Sequence, residues 1–212
     1  MNGIGNVFAR GGLVMWPLLA CSLLTVTITL ERVLFWWREG RRTRRGAGRT
    51  GEIFDLTEAG CFAEALTLER ESLGAADRML LEGLANREHG LREGMEAAAG
   101  EEVERMRRGL GVLDTIITLA PLLGILGTVV GIILAFDFLG SRGIADPRAV
   151  TSGIAQALIT TAAGLTVALV TLVPYNVLVH RVEKTARALG RTGTRFEAAC
   201  RKGEDHEGRH WV

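Results

Sequence analysis

Four side chains supply the polar chemistry inside the long apolar runs of this chain. Thr128 lies in one uncharged run, and Gln156, Thr160 and Thr161 lie in another. Hydroxyls and an amide can offer oxygens to water, to a passing cation or to a neighbouring carboxylate. None of them can take up and return a proton, which is what harvesting a proton gradient needs. The acids near the apolar runs are Glu31, Asp114 and Asp137, each close to an end. Asp137 follows Thr128 by nine residues, about half a turn away around a helix. It reads as an interfacial acid or a pore-mouth group. If an ion crosses here, its carboxylate carrier is expected on a partner chain.

One stretch matches a catalytic motif. His206-Glu207-Gly208-Arg209-His210 reads H-E-x-x-H, the spacing that puts two zinc-binding histidines on one helix face. Gly208 and the polar surroundings favour a solvated tail. His89 and His180 are isolated, and Cys21, Cys61 and Cys200 show no disulfide or metal spacing. No catalytic residue, metal or cofactor is expected, and no enzyme. A net charge of +1 gives no argument for nucleic acid.

The elements that must hold these groups are apolar runs. Thr115 to Phe136 is 22 residues without a charge, and Ala149 to Val179 is 31. Either can cross a hydrocarbon layer about 30 Å thick. Leu13 to Leu30 is a third, of 18 residues, with Val33 to Trp37 resuming after Glu31-Arg32. Its length and the lack of a small-residue cleavage site favour a span over a cleaved signal peptide. Trp16 and Trp36, about 30 Å apart along a helix, mark the two interfaces. Arg32 is expected to snorkel outward.

Small residues qualify the spans. Gly124, Gly127 and Gly131 recur at three- and four-residue spacing with Thr128. Gly153, Thr160, Gly164 and Thr171 share a face of the third span, with Gln156 and Thr161 beside it. Such faces let another backbone approach closely. They pack helices, line a wet centre, or do both.

Arginines set the expected topology. Arg38, Arg41, Arg42, Arg44, Arg45 and Arg49 follow the first span, and Arg105, Arg107 and Arg108 precede the second. His180, Arg181, Lys184 and Arg187 follow the third. The positive-inside rule then places these flanks in the cytoplasm, with Arg38, Arg41, Arg42, Arg105 and Arg108 as anchors near anionic lipid. The expected division is 1–12 outside, 13–37 first span, 38–111 cytoplasmic, 112–140 second span, 141–150 outside hairpin, 151–179 third span and 180–212 cytoplasmic tail. Residues 40–51 read as a solvated linker. Helices are expected over about 55–70 and around Leu80, and one continuous helix over about 91–139. The third span is expected to overrun the bilayer to about Cys200, with a frayed tail from Lys202. The fold class is an all-α membrane protein with three transmembrane helices, the second and third extended into a cytoplasmic helical bundle. The segment between the first two spans is too small for an independent enzyme core, and no internal repeat suggests a transporter.

The run ERMRRGLGVLDTIITLAPLLGILGTVVGII at 104–133 resembles the core of the ExbB/TolQ/MotA proton-channel family. So do GIAQALITTAAG at 153–164, Pro174-Tyr175-Asn176, GGLVMWPL at 11–18 and the Glu31-Arg32 pair. The resemblance is closest to ExbB and covers nearly the whole chain. It implies a homopentamer in the bacterial inner membrane around an ExbD/TolR-like single-span partner that carries the intramembrane Asp. It also implies a TonB- or TolA-like protein downstream. Thr128 and Thr161 match the family's pore threonines. Gln156 matches a position usually held by Glu, a departure that removes proton exchange from that site. A TolQ-like envelope motor and a passive membrane scaffold are the alternatives.

Overall fold

The computed structural model describes residues 12–45, 48–68, 73–142 and 147–209. Among them there is no strand. The elements are α1 (Met15–Arg45), α2 (Arg49–Glu58), α3 (Phe62–Leu66), α4 (Ala75–Ala85), α5 (Arg87–Arg107), α6 (Leu110–Arg142) and α7 (Pro147–Arg209). Three helical stretches are long and apolar enough to cross a membrane, so the all-α, three-span class holds. Contacts divide the chain into two units, residues 1–31 with 109–178 and residues 32–108 with 179–212.

The first unit is built on small residues. α6 and α7 run antiparallel, with Ala120 beside Gly164, Gly127 beside Thr160 and Ala135 beside Gly153. A Cβ on Gly131 would stand 3.0 Å from Ala157 Cβ and 3.1 Å from the Gly153 carbonyl oxygen. This close approach follows from glycine at three- and four-residue spacing on both helices. α1 joins through Met15, Leu18 and Cys21, which pack with Ile116, Ala120 and Ala168.

The second unit has its own core, including Ile53, Phe62, Leu80, Leu84, Met95, Met106, Leu189 and Phe196. Its polar centre is Arg78. The guanidinium reaches Glu102 through Nε at 2.7 Å and Nη2 at 2.9 Å, and Glu39 at 3.3 Å. Burial works against this charge, but Glu102 and Glu39 outweigh it and the Arg78 pKa is raised. Glu39 also accepts the Ala75 N–H at 3.0 Å, one of the orphan donors at the start of α4.

Several local expectations are corrected. The continuous helix over 91–139 is interrupted at Arg108 and Gly109. Arg108 is extended (φ −51°, ψ 131°) and Gly109 has φ +80°, so the ladder stops after Arg107 and restarts at Leu110. The helix over 55–70 ends at Glu58. Gly60 has φ +77°, and the Cys61 N–H returns to the Leu56 carbonyl at 2.9 Å in a Schellman cap. Most of the supposed 40–51 linker is helical, with α1 running to Arg45 and Arg41 stacked 3.5 Å over the Trp37 ring. Arg32 does not snorkel. It is 3% exposed, and its Nη1 donates to the Arg105 carbonyl at 3.0 Å. That carbonyl sits in the last turn of α5, where helical acceptors lack partners. The tail is not frayed from Lys202, since α7 continues to Arg209 and Lys202 pairs with Glu58 at 2.5 Å. Residues 1–11, residues 143–146 of the expected hairpin, and His210 lie outside the described residues, as do the side chains of His206 and Glu207.

Candidate functional site

Of the polar side chains named from the spans, Thr160 and Thr161 meet α6 at the α6–α7 crossing, while Thr128 and Gln156 turn elsewhere. Thr161 Oγ1 crosses between helices and donates to the Gly124 carbonyl at 3.0 Å. Gly124 permits this because a Cβ there would lie 3.1 Å from Thr161 Cα. Thr128, half-buried, donates within its own helix to the Ile125 carbonyl at 2.6 Å. Each hydroxyl has spent its hydrogen on a backbone oxygen. What remains on each is an acceptor, suited to a water, a cation or the proton of a carboxylic acid.

Thr160 is fully buried and occupies the space that Gly127 leaves open. Its hydroxyl lies 2.8 Å from the Gln156 carbonyl and 3.0 Å from that of Ala157. This is the back-bonding open to a threonine within a helix. The structure therefore puts Thr160 inside the helix contact and Thr161 at its edge. Gln156, half-buried one turn earlier, packs its side-chain amide against Gly12, whose φ of +71° bends the chain just ahead of α1. Asp137 is exposed towards the far end of α6.

Of the basic anchors, Arg38 and Arg42 are exposed, and Arg41 lies on Trp37. Arg105 bonds Glu102 through its side chain and accepts Arg32 through its carbonyl. Arg108 is the extended residue at the α5–α6 break. Among the described residues, no group of three or more His, Cys, Asp or Glu side chains is placed to hold a metal.

Sequence reasoning missed one contact in the first unit. Thr25 and Thr171, both buried, meet hydroxyl to hydroxyl at 2.9 Å. Thr171 gives its hydrogen to the Val167 carbonyl at 2.7 Å, so Thr25 is the donor in the pair. Thr25, Thr27 and Thr29 alternate along α1, and local spacing could not single out the one that faces α7.

The comparisons with known proteins agree with this architecture. The model of the MotA/TolQ/ExbB proton channel family matches residues 71–190. The provisionally named biopolymer transport protein ExbB-like 1 of Synechocystis is 40% identical, over 92% of this chain and 78% of its own length. Biopolymer transport protein exbB1 of Vibrio cholerae is 31% identical, over 91% and 86%. Biopolymer transport protein ExbB of Salmonella typhimurium is 28% identical, over 84% and 76%.

Proposed function

This chain belongs to the MotA/TolQ/ExbB proton channel family, and from that premise we propose that it is the ion-path subunit of an ExbB-like motor. It is a multi-pass membrane protein of the ExbB-like biopolymer transport group. In this reading it forms a homopentamer in the bacterial inner membrane, with the N-terminus outside and the C-terminus in the cytoplasm. The ring surrounds an ExbD/TolR-like single-span protein, and the work reaches the outer membrane through a TonB-like protein. The arginine flanks support the orientation.

The observation that carries the proposal is the Thr161–Gly124 crossing with Thr128 beside it. It offers acceptor oxygens on a glycine-packed hairpin whose middle holds no carboxylate. Moving one charge through 100 mV releases about 2.3 kcal/mol. This hairpin can line the route of that charge but cannot carry the proton. The carrying Asp then belongs to the partner, and Gln156 serves as a neutral hydrogen-bonding group. Thr160 would contribute by holding the spacing of α6 and α7.

The satisfied donors of Thr128, Thr160 and Thr161 also suit a passive scaffold, which is the second reading. Thr161→Val separates the two. An ion path predicts that ion-driven work falls several-fold while the mass of the purified oligomer with its partner is unchanged. Undiminished work would remove Thr161 from the path and favour the scaffold. A TolQ-like envelope role differs in the downstream protein that co-purifies.

A further inference from the structure

Gln156 stands on the strip of α7 that faces α1, while Thr161 stands on another. Ala163 and Val167 pack against the cluster that holds Met15, Leu18 and Cys21 of α1. Gln156 precedes Ala163 by seven residues and Val167 by eleven, which puts all three within about 20° of one line along the helix. Thr171 continues that strip and accepts the Thr25 hydroxyl at 2.9 Å. Thr161 lies about 140° round the axis from Gln156 and bonds the Gly124 carbonyl of α6 instead. The contacts with α1 keep register. Gly12 to Thr25 is thirteen residues and Gln156 to Thr171 is fifteen, about 20 Å and about 22 Å of helical rise. α1 and α7 therefore run parallel along one seam, with an apolar middle and a polar contact at each end. At the Gly12 end, a Cβ would collide with Gln156 Nε2 and stand 3.1 Å from its Cδ, so the amide fills the space that glycine leaves. Gly12 turns the chain into α1 with φ +71°, and its carbonyl accepts the Met15 N–H at 3.2 Å.

We propose that Gln156 is a positioning residue, which serves the ion path by locking the start of α1 onto α7 rather than by meeting the ion. This rests on the ion-path reading above and says which contact the neutral amide makes in it. Seated on Gly12, the amide closes one end of the seam, as Thr25 and Thr171 close the other. α7 is then held in rotation and height from the α1 side, and Thr161 meets Gly124 on a different side of the same helix. A neutral side chain suits this place, because a charge packed against backbone between two spans would carry a desolvation cost. Its length matters as much as its polarity, since only a side chain that reaches Gly12 closes the seam.

An amide that lines the path itself makes different predictions. The complex with its single-span partner would be reconstituted in vesicles, with proton- and sodium-sensitive dyes reading potential-driven entry at equal oligomer content. Hydrogen exchange of the same complex would follow the Met15, Trp16 and Leu18 amides in the first turns of α1. Gln156→Leu and Gly12→Ala should each lower the flux several-fold and speed that exchange. The double variant should be no worse than the poorer single one, because both remove one contact. Gln156→Asn keeps the amide but is a methylene short of Gly12, and should lose as much as Gln156→Leu. Gln156→Glu, of equal length, should recover most of the flux. Fold losses that multiply in the double variant overturn the proposal and leave the ion path standing. Lowered flux in Gln156→Leu with unchanged exchange at the start of α1 does the same, as does full flux through Gln156→Asn. No flux through the unaltered complex overturns both readings. Should Gln156→Leu fail to assemble, Gln156→Asn and Gly12→Ala decide by the same two measurements.

Discussion

Gln156 and Thr161 are five residues apart on α7 and ask different things of their surroundings. Thr161 is anchored to a backbone oxygen, while the Gln156 amide lies against Gly12. If Gln156 acts by hydrogen bonding, Gln156→Leu should impair ion-driven work and Gln156→Glu should be tolerated. Full activity of the Leu variant would remove it from the site. Cys200 offers a separate check on the second unit. It is 4% exposed, and burial, with Glu204 adding to it and Arg87 opposing, pushes its thiol up to about 12. Cys61 is exposed. At neutral pH an alkylating reagent should therefore label Cys61 in the folded protein, and Cys200 should react only after unfolding. Above about pH 9 the unfolded thiol ionises while the folded one stays neutral, so its contribution to stability is complete below that pH. It is lost as pH rises towards 12. Denaturant midpoints across that window, compared with Cys200→Ala, would measure it. None of this is readable at Cys200 from sequence, because its surroundings include Arg87, which is distant in the chain.

The helices show how far local spacing reaches. The glycine faces of α6 and α7 are set by residues three and four apart, so the amino-acid order alone reveals that they exist. Which glycines are irreplaceable depends on what stands opposite. A Cβ on Gly164 would lie 2.5 Å from the Ala120 carbonyl oxygen and 3.0 Å from Gly124 Cα, backbone that cannot swing aside. Gly164→Ala should cost about 1–3 kcal/mol in thermal unfolding in detergent, as overpacking does. Gly190→Ala, with nothing within 4 Å, should be neutral or slightly stabilising. Equal effects at the two sites would count against the tight crossing. Spacing hides the break at Gly109, because the apolar pattern continues across it. Only the backbone reveals φ +80°, and Gly109→Ala should cost about 1–2 kcal/mol there.

Across the chain, the two units are held by different forces. The first leaves large apolar side chains such as Leu122, Phe136, Leu158 and Leu169 exposed, as a lipid- or protein-facing surface requires. The second depends on a buried charge cluster. Removing Arg78 would strand Glu39 and Glu102, whose side chains are 8% and 10% exposed. Arg78→Met should lower stability by about 3 kcal/mol. Arg92→Met, breaking an exposed pair with Glu96, should produce no measurable change.

The sequence by itself determined that the chain crosses a membrane three times and that the second and third spans carry close-packing faces. Those properties depend on uncharged length and on spacing within one helix. It also indicated that no mid-span carboxylate is present. Tertiary structure alone decided that Thr160 is enclosed while Thr161 reaches Gly124, and that Thr25 is the threonine of α1 that meets α7. It turned Arg32 inward to a helix-end carbonyl. Each of these depends on which distant segment stands at the same height, and a one-dimensional pattern does not record that.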